Sequence, residues 1–180
     1  MKIRIVSDAS PLIYFAKLDE IALLSKSIGP VAAPPAVIQE SVSDGKKRHR
    51  PDADRIHHAL EDGLILPLEL SAAEKAVAQT LHSNSPLGAG ECEVIACAFH
   101  RSAKALLSDK KARSVAIQQG IQTINTTDIL FFALLRHQIS LQTFKRVIRS
   151  LAVITGINAA TLMEQEAIAD EIAYQLNIKE

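Results

Sequence analysis

Four acidic residues stand where an isolated carboxylate is costly: Asp8 and Asp109 directly after short apolar runs, and Glu40 and Glu91 at the boundaries of apolar helical sequence. Two carboxylates brought together raise each other's pKa unless a cation neutralises the pair. If the four converge, a metal ion is the natural occupant. Oxygen ligands with no histidine or cysteine beside them select magnesium or manganese over zinc. One or two such ions, roughly 4 Å apart when paired, orient a water on a phosphodiester and stabilise the departing oxygen. The chemistry these acids permit is hydrolysis of a nucleic-acid backbone. Each also has a plain structural use: Asp8 and Asp109 as helix N-caps, Glu40 as an exposed helix residue, Glu91 as a favourable charge at a helix start. The case for a metal rests on their joint pattern.

Nearby residues refine the set. Glu91 and Glu93 are two positions apart on one helix and point about 200° apart, so the two do not face one pocket. Glu91 is assigned to the cluster and Glu93 is left as a supporting or surface residue. Asp128, after Thr126-Thr127, is either a fifth ligand or a helix cap, and capping is the commoner fate there. Lys110, Lys111 and Arg113, just beyond Asp109, are the expected phosphate grip. The run Lys46-Lys47-Arg48-His49-Arg50 reads equally as a second grip or as a solvated basic loop. The six histidines have no metal-ligand spacing, and neither a phosphate-binding glycine loop nor a dinucleotide fingerprint is present.

The elements that must carry these acids read as alternating strand and helix. Ile3, Ile5 and Val6 with Ser7-Asp8 form a first strand ending in an acid, followed by an apolar helical stretch from Pro11 through Leu24. Pro34-Pro35 opens a helix carrying Val37, Ile38 and Glu40 and ending near Gly45. After the basic connector comes a helix over 52–62, then Gly63 and a short apolar run, Leu64-Ile65-Leu66. Ser71-Ala72-Ala73-Glu74 is a capping box for a helix reaching about His82. A second helix runs from Glu91 to about Ala103. The strand Ala105-Leu106-Leu107-Ser108 ends in Asp109, a helix over 110–119 closes at Gly120, and 121–124 is the last strand. From Thr126 onward the chain is helical. The expected fold is α/β: a three-layer α/β/α sandwich on a mostly parallel four- to five-stranded sheet, one domain over 1–180 with a helical C-terminal segment from about 140. In such sheets ligands gather beyond the carboxyl ends of the strands, where Asp8 and Asp109 sit.

With 180 residues, 48% hydrophobic and 22% charged, the chain has ample material for a core. Twenty basic residues against twenty acidic ones leave a formal net charge of zero, so any attraction to a polyanion must come from a local patch. Cys92 and Cys97, the only cysteines, lie five apart on a helix, which suits neither a disulfide nor a zinc knuckle and fits a reducing cytoplasm. No run of about 18 apolar residues is present, so neither export nor membrane insertion is expected.

Four ordered blocks, Asp8-Ala9-Ser10-Pro11-Leu12-Ile13, Pro34-Pro35-Ala36-Val37-Ile38-Gln39-Glu40, Gly90-Glu91-Cys92-Glu93-Val94-Ile95-Ala96 and Leu107-Ser108-Asp109-Lys110-Lys111-Ala112-Arg113, resemble those of PIN-domain proteins, particularly the VapC-like toxins and their relatives. The resemblance spans residues 3 to 130. It implies a magnesium- or manganese-dependent endoribonuclease, a frequent homodimer, and a small antitoxin that plugs the active site. By position Asp8, Glu40, Glu91 and Asp109 take the family's acidic places, and Ser10 matches a hydroxyl beside the first acid. Ser108 departs from the Thr or Asp that many relatives carry before the last acid. Two other readings compete: a magnesium-dependent phosphatase or phosphotransfer domain, which would want an Asp-x-Asp where this chain has Asp8-Ala9-Ser10, and a non-catalytic interaction protein of the same fold.

Overall fold

The first apolar run becomes the middle of the sheet. In the computed structural model, which describes residues 3–178, β1 (Ile5–Ser7) lies between β2 (Val31–Ala33) and β4 (Lys104–Leu106). β3 (Ile65–Pro67) and β5 (Thr123–Ile124) close the edges, giving the order β3-β2-β1-β4-β5 with every pairing parallel. The sheet is thus wholly parallel, and its central strands are buried on both faces, as parallel strands between helical layers must be. The order reverses between β1 and β4. A crevice opens at such a switch point beyond the carboxyl ends of the two strands, and both of the strand-end aspartates follow those strands.

Helices cover both faces and complete the three-layer α/β/α sandwich. On one side α1 (Ala9–Lys17), α2 (Ile21–Ile28) and α5 (Pro51–Glu61) pack together, and α9 (Thr126–Leu135) joins α2. α6 (Ala72–Asn84) pairs with α7 (Ala89–Arg101), which lies against β1 and β4. The return helix α8 (Lys110–Gln118) leads into β5. α10 (Leu141–Thr155) and α11 (Ala159–Leu176) pack on α9, and Phe144, Ile148 and Leu151 belong to the same hydrophobic core as Val6 and Leu106. Among the described residues no helix is long and apolar enough to cross a membrane.

Three details depart from the sequence reading. The apolar stretch Pro11–Leu24 is two helices, broken at Leu18–Glu20, where Asp19 takes a left-handed conformation (φ 59°). Val31–Ala33 is a strand that the reading passed over, boxed between Gly29-Pro30 and Pro34-Pro35. The helix begun by Pro35 does not stop at Gly45. It runs as α3 (Pro35–Ile38), a π-helical turn (Gln39–Ser43) and α4 (Asp44–Lys47), absorbing the first half of the basic connector. Within that connector Lys47 pairs with Asp44 at 3.2 Å and Lys46 approaches Asp54 at 4.0 Å.

Candidate active site

Asp8 opens the site because β1 ends one residue earlier and the chain must turn at once into α1. Its backbone is extended (φ −77°, ψ 167°) and its N–H donates to the Leu106 carbonyl at 3.0 Å, stitching β1 to β4. Although Asp8 occupies the N-cap position, its side chain makes no capping hydrogen bond. The residue is 6% exposed. Burial pushes its carboxyl up to about 6, the charges of Glu91 and Glu40 add to the rise, and the amides of Ala9 and Ser10 offset part of it.

Glu40 reaches the same place from the π-helical turn, a local widening found often at functional sites. The closest geometric evidence for convergence comes from Gly90, buried at the start of α7. A Cβ placed there would lie 3.4 Å from Asp8 Oδ1, 3.7 Å from Glu40 Oε2 and 3.3 Å from Val37 Cγ2. The missing side chain lets a helix shoulder up to two carboxylates, with Glu91 next in sequence. Burial raises the Glu91 carboxyl, the charges of Asp109 and Glu40 raise it further, and the Gly88 N–H, donating to Glu91 Oε2 at 2.8 Å, pulls it down.

Asp109 enters from the β4 side and is exposed. Its Oδ1 accepts from the N–H groups of Lys111 (2.7 Å) and Ala112 (3.0 Å), so this acid does act as the N-cap of α8. The four acids therefore share one region, linked Asp8 to Glu40 to Glu91 to Asp109, but with different freedom. Glu91 and Asp109 each have an oxygen engaged by a helix N-terminus. Among the described residues no group of three or more His, Cys, Asp or Glu side chains is poised to hold a metal. The donor set nonetheless suits a hard divalent cation: carboxylate oxygens of Asp8 and Glu40 both lie beside Gly90, and magnesium is commonly held by one or two carboxylates, its other positions going to water and substrate phosphate. Among the described residues no histidine or cysteine joins these acids in a metal-holding group that would favour zinc.

The topology, the strand-end acid and the ordered blocks together leave one family to test, and the profile of the family DUF3368, described as a PIN domain, matches residues 4–178. The chain belongs to the PIN-domain family. No curated protein matches it. PIN domains are generally nucleases, so the fold is a nuclease-like one.

The remaining candidates of this PIN domain divide. Ser10 and Lys110 line a cleft of about 640 Å³ that also includes Asp109 and Arg113. The Arg113 guanidinium donates through Nη1 to the carbonyls of Ser108 (2.6 Å) and Leu107 (3.1 Å), so it braces the end of β4 as well as facing the cleft. Lys111 is exposed and does not line the cleft. Glu93 is half-buried and takes the supporting role: its Oε2 accepts from the Ala36 N–H at 2.8 Å, tying α7 to the helix that carries Glu40. Asp128 accepts from the Asn125 N–H at 2.8 Å in a capping box, which accounts for it without a ligand role. Sequence reasoning passed over Thr126, whose hydroxyl lies 2.7 Å from that of Ser108, and Asn125, whose Oδ1 caps α9. Their signal was present: Asn125 follows the last strand directly, as Asp8 follows β1.

Proposed function

We propose that this PIN domain is an endoribonuclease that hydrolyses RNA phosphodiesters with magnesium or manganese, acting as the toxin of a toxin–antitoxin pair. The observation that carries the reading is the meeting of Asp8 and Glu40 across Gly90, at the switch point of the sheet and within the field of Glu91. Asp8 and Glu40 are the groups to hold the cation. Glu91 and Asp109 deepen the negative potential and present their second oxygens to water or to an aquated ion. A divalent ion held by Asp8 and Glu40 would supply Lewis acidity toward the phosphodiester and lower the pKa of a bound water. Lys110, at the cleft rim, meets the phosphate backbone, and Ser10 hydrogen-bonds the strand one helical turn before Tyr14.

A small protein inhibitor and a second copy of the chain are the partners this reading carries, on family grounds. It also places the protein in the cytoplasm, in keeping with two buried free thiols. The test is cleavage of end-labelled RNA with magnesium or manganese by the wild type, Asp8→Asn and Glu40→Gln. Cation-dependent cutting that both substitutions reduce by about a hundredfold or more supports the nuclease. Turnover of a small phosphomonoester in place of RNA, or no turnover at all with a correctly folded protein, defeats it.

A further inference from the structure

The cleft that takes in Asp109 of the four acids extends to the C-terminal helices, which supply its far wall. Thr155 closes α10 before Gly156 turns the chain in a left-handed conformation (φ 72°), and with Asn158 and Thr161 beyond the turn it lines the same cleft as Asp109. The near wall is α1, where Ser10 and Tyr14, four apart, share a helical face. Between them lies Gln165. Its amide oxygen is buried and has no hydrogen-bond partner among the described residues. An unmet buried acceptor is costly, and the residue that carries this one lines a cleft of about 640 Å³, within the usual range for ligand pockets.

The polar atoms around Gln165 suit a nucleobase. Asn125 and Asn158 use their carboxamide oxygens to cap α9 and α11, which turns the amide nitrogens to other partners. The lining also includes the aromatic ring of Tyr14 and the apolar side chains of Leu151 and Ile157. Single-stranded RNA is read in this way, by splayed bases stacked on aromatic rings and hydrogen-bonded at their edges. We infer that the cleft between α1 and the α10–α11 turn seats one base of the RNA next to the scissile phosphate, with Gln165 accepting a hydrogen bond from a base N–H. The inference rests on the nuclease reading and gives the C-terminal helices a role in choosing the cut.

Binding and cutting are measured separately. In the first arm the four nucleoside 5′-monophosphates are titrated into the isotope-labelled protein without metal, and amide shifts are followed by NMR. The expected result is perturbation of Thr155, Thr161 and the Gln165 side chain, a preference of about tenfold or more for one base, and at least tenfold weaker binding in Gln165→Leu. That variant should melt no lower than wild type, because it removes the unmet acceptor, and Thr161→Val serves as a second probe if it fails to fold. In the second arm RNA cleavage by Gln165→Leu should show a raised KM, a nearly unchanged kcat and a flattened base preference at the cut site. Nucleotide shifts confined to other surfaces, or unchanged affinity in both variants, overturn the subsite. Unaltered cleavage preference in Gln165→Leu also overturns it while leaving the nuclease standing, whereas base-selective binding by a protein that cuts no RNA removes the nuclease and keeps the subsite.

Discussion

Gly90→Ala separates what the site needs from what the fold needs. Gly90 is the second residue of α7, and a helical glycine replaced by alanine gains up to about 1 kcal/mol from propensity, less in the first turn. Against this, the new methyl would sit 3.3 Å from Val37 Cγ2, slightly inside comfortable contact, and 3.4 Å from Asp8 Oδ1, at the edge of ordinary contact. The two effects nearly cancel, so stability should stay within about 1 kcal/mol of wild type. The catalytic effect does not cancel. Val37 must give by a few tenths of an ångström on the segment that carries Glu40, and the methyl fills the space beside Asp8 Oδ1 and, at 3.7 Å, Glu40 Oε2. A misplacement of about 1 Å costs on the order of a hundredfold in rate, so a shift of roughly 0.3–0.5 Å should cost about five- to tenfold in kcat/KM, with weaker manganese binding. Urea unfolding, a manganese titration and RNA cleavage on one protein batch provide the three numbers. A folded Gly90→Ala protein with wild-type manganese affinity and cleavage would refute the idea that Asp8 and Glu40 meet across this glycine.

Glu93→Ala should destabilise by about 1.5–3 kcal/mol, because it removes a charged acceptor from the Ala36 N–H, and it should lower cleavage by loosening the segment that carries Glu40; urea unfolding and kcat/KM measure both. Acid stability should depend on Glu74, which is 2% exposed and held by Arg101 at 2.6 Å. The Arg101 guanidinium keeps its carboxyl down to about 2 from an ordinary 4.5, with burial opposing and the Ser71 amide assisting. The depressed pKa means a contribution present above about pH 4.5 and lost as pH falls toward 2, worth about 3 kcal/mol. Glu74→Gln should therefore reduce stability at pH 7 and flatten its fall between pH 5 and pH 2 (about 3 kcal/mol at most); an acid limb as steep as that of wild type would count against it.

Much of the fold was legible because local chemistry and tertiary role agree. Asp8 and Asp109 follow apolar strands, Pro35 opens a helix, and Ser71 with Glu74 forms the capping box its spacing requires. β2 was not legible, since three small apolar residues between prolines carry no strand-length periodicity and pair only because β1 and β3 lie on either side. Pro11–Leu24 has unbroken apolar spacing, and the break at Asp19 reflects the turn needed to fold α2 back, along with the Arg55 contact at 3.2 Å. Within the site, the acids could be named but not ranked. That the Asp109 side chain caps its helix while Asp8, in the same N-cap position, makes no capping bond is a difference of backbone direction after two similar strands. The bond from Ala36 to Glu93 spans 57 positions and leaves no local trace. Gln165, on the last helix, has no sequence signal at all, because its importance lies in what its amide oxygen lacks.

The central claim is that acids from separate elements act on one cation. Electron paramagnetic resonance of manganese titrated into the wild type, Asp8→Asn and Glu40→Gln tests it without any RNA. One saturable manganese per chain in the wild type, weakened at least tenfold in each variant while the fold holds, is the predicted outcome. Wild-type manganese binding in both variants would contradict it.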